Sequence, residues 1–167
     1  MSTVERMEQA RPARWSRFAD EAPALAAQVL ARFEASKHHV LATLRLDGAP
    51  RVSGTELQFH ADALYAGSMA GSIKAKDLLR DGRFAVHANP GDGTMSGGDV
   101  KISGIAIEIT DTDVIAGYAG AIAPPEPFHL FELRLTEAVL TSLHPDGDRL
   151  VIEHWRLGVG LHRTERR

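Results

Sequence analysis

Apolar positions change their period several times along the chain, and each change marks an element. Leu25, Val29 and Phe33 recur every four residues behind Pro23, which suits a first helical turn, while Asp20 or Glu21 can cap. The spacing predicts one amphipathic helix over about 22–35. After Ser36 the period falls to two: Val40, Ala42 and Leu44 alternate with Leu41, Thr43 and Arg45, followed by Asp47-Gly48 and a second extended run from Arg51 to Phe59. An Asp-Gly pair between alternating runs predicts a β-hairpin, because both residues tolerate the positive φ of a tight turn. Ala61-Asp62 before Ala63–Ala66, and Asp146-Gly147 between Ala138–Leu143 and Leu150–Trp155, predict two more reversals. Hairpins in succession imply an antiparallel sheet.

Two further strands read as Arg83–Ala88 and Asp99–Thr110. In the longer one Val100 and Ile102 give way to Ile105, Ile107 and Ile109, a one-residue change of phase at Ser103-Gly104 that predicts a β-bulge. Asp111 and Thr112, then Val114, Ile115 and Tyr118, predict a short capped helix over 111–121, ended by Pro124-Pro125-Glu126-Pro127, with strand pairing resuming at His129. Residues 1–19 mix arginines and glutamates with Trp15 and Phe18 in no clean period, which predicts a surface-draped arm ahead of a single domain over 20–167. With no repeat, low-complexity tract or linker, the expected architecture is a small closed or half-closed barrel with helices at its ends, since closure protects edge strands.

Composition narrows the chemistry. A chain of 167 residues holds about one domain. Its 19 basic and 22 acidic residues, a net charge of −3, argue against nucleic acid as a partner. The absence of cysteine excludes thiolate chemistry, disulfides, iron–sulfur clusters and cysteine-type zinc sites. The opening residues lack the apolar core of a signal peptide and no apolar run reaches the ~20 residues of a membrane span, so a cytoplasmic protein without a membrane partner is expected. The eight histidines show no helical pair such as His-Glu-x-x-His, and neither a catalytic dyad nor a metal site is expected.

The stretch Leu64–Arg80 runs strand, small-residue loop, helix start. Gly67 and Gly71 let backbone N–H groups converge, Ser68 and Ser72 add hydroxyls, Ser72 stands at an N-cap position and Lys74 lies in the first turn. This combination suits a phosphate, although the spacing is not that of a Walker A loop. The same residues also suit a plain capped connection with a solvated lysine, and the pattern alone leaves both open.

Four features occur together in one order: Arg51-Val52-Ser53; the Gly-Ser-x-Lys-Ala run Gly71–Ala75; Leu78-x-x-Asp81-x-Arg83-Phe84-Ala85; and Asp99-Val100-Lys101-Ile102-Ser103-Gly104-x-Ala106. In this order they resemble the pyridoxamine 5′-phosphate oxidase-like, flavin- or deazaflavin-binding split-barrel superfamily, over roughly residues 25–160. The resemblance implies a mainly β (α+β) fold: a six- to seven-stranded antiparallel split β-barrel with two to four short helices. It also implies a homodimer binding FMN, or the deazaflavin F420, at the dimer interface, and an oxidoreductase that transfers hydride to or from a small organic substrate. A non-catalytic flavin- or haem-binding barrel is the alternative.

Carried over by position, Arg51 would face the cofactor phosphate, with Val52 and Ser53 beside it on the same strand. Ser72 and Lys74 would clamp that phosphate, and Gly67 and Ser68 would meet the flavin ring edge. Ile73 stands where the oxidases have an arginine, and Asp99 near where they use a glutamine toward the ring. The tail Trp155-Arg156-x-Gly158-x-Gly160-Leu161-His162-Arg163 lacks the full run of the oxidases proper, which argues against pyridoxine-phosphate oxidase activity.

Overall fold

The computed structural model describes residues 11–167. The first ten residues of the expected arm lie outside this range. The remainder of the arm is not draped on the surface: Trp15–Glu21 forms helix α1, and its Trp15 and Phe18 are buried in the core. Phe18 packs against Trp155 at a ring separation of 4.9 Å, and the Trp155 indole N–H donates to Glu21 at 2.9 Å. Two aromatics on one face are enough to hold a seven-residue helix that periodicity cannot reveal, because tertiary burial supplies what local propensity does not.

The four-residue period of Leu25, Val29 and Phe33 becomes helix α2, Pro23–Glu34, with Pro23 at its first position. The hairpin signals become β1 (His39–Leu44) with β2 (Pro50–Thr55), β3 (Leu57–His60) with β4 (Ala63–Met69), and β7 (Phe128–Leu143) with β8 (Leu150–Arg156). Gly48, Ala61, Asp62 and Gly147 all take positive φ in the three turns. Helix α3, Ile73–Arg80, follows β4 and leads to β5 (Arg83–His87) and β6 (Asp99–Glu108); helix α4, Thr112–Ile122, lies between β6 and β7.

These strands, with β9 (Gly160–Arg166), form one antiparallel sheet of nine, rather than the six or seven expected. The extra strands arise where the run from Arg51 to Phe59 breaks at Glu56, and where the basic tail pairs with β8 although its side chains stay in solvent. The path β2-β1-β5-β6-β7-β4-β3 does not close on itself. Strand β7 organises the split: β6 pairs along one edge over Phe131–Thr141, while β4 takes the first part of the other edge and β8 the last part. The register between β6 and β7 does shift at Ser103-Gly104, but the extra residue is Thr136 of β7, since Ser103 pairs with Glu137 and Gly104 with Leu135. Strand β6 itself keeps one period, burying Val100, Ile102, Gly104 and Ala106 and leaving Ile105 and Ile107 on the less buried face, so the change of phase expected from sequence does not occur.

The main core lies inside this curved sheet, with Leu25 and Val29 from α2 meeting Val100, Ile102, Leu135, Leu140 and Trp155. A smaller cluster, Ala63, Tyr65, Tyr118 and Leu130, fixes α4 against the opposite face. The free ends of the strand path, β2 and β3, are joined through Glu56 alone, and a cavity opens beside that join.

Candidate functional site

The cavity encloses about 500 Å³, within the range of small-molecule sites. Gly67, Ser68, Ser72 and Lys74 all line it, so β4 and the start of α3 bring these expected cofactor residues together. Arg51, Val52 and Ser53 do not line it; β2 contributes Gly54 and Thr55 instead.

The α3 wall is built by the local sequence. Ser72 caps the helix, its Oγ accepting from the Ala75 N–H at 3.2 Å and lying 2.7 Å from Ser68 Oγ. Helix geometry leaves the amides of Ile73 and Lys74 without intrahelical acceptors, and the helix dipole adds partial positive charge there. Lys74 Nζ donates to the Gly54 carbonyl at 2.7 Å, across the cavity edge. Burial pushes its ammonium below the ordinary lysine value, with nearby Glu56 acting in the opposite direction. Gly67 and Ser68 are not in a loop as the sequence suggested: β4 extends to Met69 because Gly67, Ser68 and Met69 pair with Leu130, His129 and Phe128 of β7.

Arg51 has a different partner. Its Nε donates to Asp77 Oδ2 at 2.7 Å, and Asp77, 2% exposed, also accepts from Thr43 at 2.8 Å and Arg80 at 2.9 Å. Burial pushes the Asp77 carboxyl up, while the hydrogen bonds from Arg51, Arg80 and Thr43 pull it down, and the balance holds it below the ordinary aspartate value. The arginine expected at a phosphate is thus paired with a carboxylate of the helix that carries the lysine, a carboxylate it shares with Arg80.

A second wall comes from α4 and the segment after it. Tyr118, Ile122, Pro124, Pro125 and Phe128 line the cavity, and none of them was singled out from sequence as a site residue. Tyr118 signalled only an apolar helix position; its hydroxyl donates to Gln58 Oε1 at 2.7 Å. Lys37 and His38 complete the rim beside Glu56, with Lys37 Nζ 3.5 Å from Glu56 Oε1. His39 is turned away and buried, accepting from the Asn89 N–H at 3.1 Å. Asp99 is not among the lining residues.

Elsewhere, the β7–β8 turn brings His144, Asp146 and Asp148 together, but the Arg149 guanidinium bonds all three.

No family model and no curated protein sequence matches the chain. Solved structures do. A pyridoxamine 5′-phosphate oxidase-related, FMN-binding protein from Nostoc punctiforme PCC 73102 superposes with a TM-score of 0.59 at 15% identity, covering 84% of this chain and 94% of that one. The fold is that of the pyridoxamine 5′-phosphate oxidase-like split barrels. PhzG from Burkholderia lata 383, in complex with tetrahydrophenazine-1-carboxylic acid, shares the split barrel with a TM-score of 0.56 at 18% identity, covering 86% of this chain and 88% of that one. A haem-binding protein from Mycobacterium smegmatis shares it with a TM-score of 0.54 at 12% identity, over the same 86% and 88%. Among the described residues of this split barrel, no helix is long and apolar enough to cross a membrane.

Proposed function

We propose that the chain is a cytoplasmic, homodimeric, FMN-dependent oxidoreductase, with F420 as the close alternative cofactor, and that the cavity beside α3 holds the cofactor. The supporting observation is the donor set of one cavity: Ser68, Ser72 and Lys74, at the start of α3, line a space otherwise walled by Tyr118, Ile122 and Phe128. Such a set fits a phosphate attached to a planar ring. Lys74 and the α3 amides would hold the phosphate, and the apolar wall would exclude water from the ring. When bound, the cofactor supplies hydride transfer, while the protein contributes orientation and electrostatics. Dimerisation is supported by apolar side chains left in solvent on the edge strand β2 and its neighbour β1, Val52 at 70% and Val40 at 41% exposure.

The test is the visible spectrum of the purified protein, followed by titration with FMN and with F420. Lys74→Ala is expected to weaken binding of the phosphate-bearing cofactor by about 1–3 kcal/mol, roughly 5- to 150-fold in Kd, with the fold intact. Failure of both cofactors to bind would overturn the proposal.

A second reading, a non-catalytic flavin- or haem-binding barrel, is favoured by the His38 imidazole in the cavity lining and by the withdrawal of Arg51 to Asp77. It predicts cofactor binding without turnover by any electron donor.

A further inference from the structure

A second cavity, of about 520 Å³, shares no lining residue with the first and lies between the C-terminal half of α2, the connection from β5 to β6 and the end of β7. Arg32 is the one charged residue among those that line it. Arg17, Arg51, Arg134 and Arg149 are half-buried, and each lies against a carboxylate. Arg32 is half-buried too, yet among the described residues no carboxylate comes within ion-pair distance of it. Asp92 is close enough to feel its charge, but accepts instead from the Thr94 amide at 3.0 Å and the Thr94 hydroxyl at 2.5 Å. The β5–β6 connection is shaped around the guanidinium: Nη2 donates to the Asn89 carbonyl at 3.0 Å, and a Cβ at Gly91, where φ is +70°, would overlap Nη2. Nη1 donates to the Ser96 carbonyl at 3.4 Å, a long and exposed bond, and Nε is buried without a partner. The carbonyls take up N–H groups but supply no counter-charge, so the guanidinium is held in place with its positive charge unmatched.

We infer that this cavity is a second ligand site, for a small organic molecule that carries a single carboxylate on an apolar body. A carboxylate matches the planar fork of a guanidinium, and the exposed Nη1 can exchange its long bond to Ser96 for a charge-assisted one. Ser96 and Ser142 bring hydroxyls to the same space. Ala31, Ala35, Met95 and Leu143 give the apolar body a surface, and Leu143 is 48% exposed until something covers it. One charge fits better than two: the lining holds no second cation, and the partial negative charge at the end of α2 opposes a further anion. The site stands apart from the cofactor cavity, and its occupancy does not depend on which cofactor is bound there.

The test is calorimetric titration of the purified protein at neutral pH with benzoate, with benzamide as its uncharged counterpart and with phthalate as the dianion. Benzoate is expected to bind at least about tenfold more tightly than either, and Arg32→Gln to lose about tenfold or more in benzoate affinity. Because Arg32 also holds the β5–β6 connection, Ala31→Phe serves if the glutamine variant fails to fold: it fills the cavity, leaves the guanidinium in place and should abolish binding. Lys74→Ala should leave benzoate affinity unchanged, since that lysine lines the other cavity. Equal binding of benzoate and benzamide overturns the inference, as does the absence of benzoate binding below about 10 mM. So does a benzoate affinity that survives in folded Arg32→Gln or Ala31→Phe protein, or one that is lost with Lys74. FMN titrated into the Arg32 and Ala31 variants should bind as in wild type, which keeps failure of this site distinct from failure of the cofactor reading.

Discussion

Asp77 accepts from three donors on three elements: Thr43 in β1, Arg51 in β2 and Arg80 in its own helix. Removing the charge leaves two guanidinium groups, themselves partly open to solvent, with a weaker partner, so Asp77→Asn should cost about 1–3 kcal/mol of stability at neutral pH, measured by urea unfolding. Because the folded carboxyl titrates below its ordinary value of 3.8, the contribution is complete above that value and is lost as pH falls through the folded pKa. Wild type and variant should therefore converge in strongly acidic solution; a constant difference would mean that the charge is not the stabilising feature. The sequence presents Arg51 and Asp77 as unrelated positions 26 residues apart, so a resemblance assigns Arg51 to a phosphate. Only the docking of α3 on the β1–β2 hairpin shows which anion it meets.

At the scale of elements, the cap of α3 was legible for local reasons, whereas the irregularity at Ser103-Gly104 was placed correctly along β6 but assigned to the wrong strand. A serine before a lysine-containing helical turn is a capping signal. In β6 the core face runs unbroken through Val100, Ile102, Gly104 and Ala106, whose last two members are too small to register as hydrophobic positions, and the extra residue is Thr136 of β7. The reason for glycine at position 104 appears only in the pairing: a Cβ there would overlap the Arg134 carbonyl oxygen of β7. Gly104→Ala should prevent the β6–β7 register from forming and give insoluble protein, or one with a markedly lower Tm; a soluble variant with wild-type Tm would show that the strands can part at little cost. Helix α1 and the last residues of β4 escaped sequence reading because their stability comes from partners distant in sequence. Trp15 and Phe18 need Phe59 and Trp155, and Gly67–Met69 need β7.

At the scale of the whole molecule, the antiparallel pairing leaves an outer face on which Val40 and Val52 stand in solvent. If a second copy covers this face, light scattering should give twice the mass of 18.1 kDa, and Val52→Asp should yield a folded monomer. A wild-type monomer would remove the support for dimerisation. The sequence alone determined the hairpins, the principal helices and the Ser72 cap of α3, because turns, caps and periodicity are short-range properties carried by neighbouring residues. Only the tertiary structure decided that Arg51 belongs to Asp77, that Gln58 belongs to Tyr118, and that the cavity opens where β2 and β3 meet at Glu56. Those outcomes depend on which distant groups share a buried space, and burial sets the partner of each polar atom there.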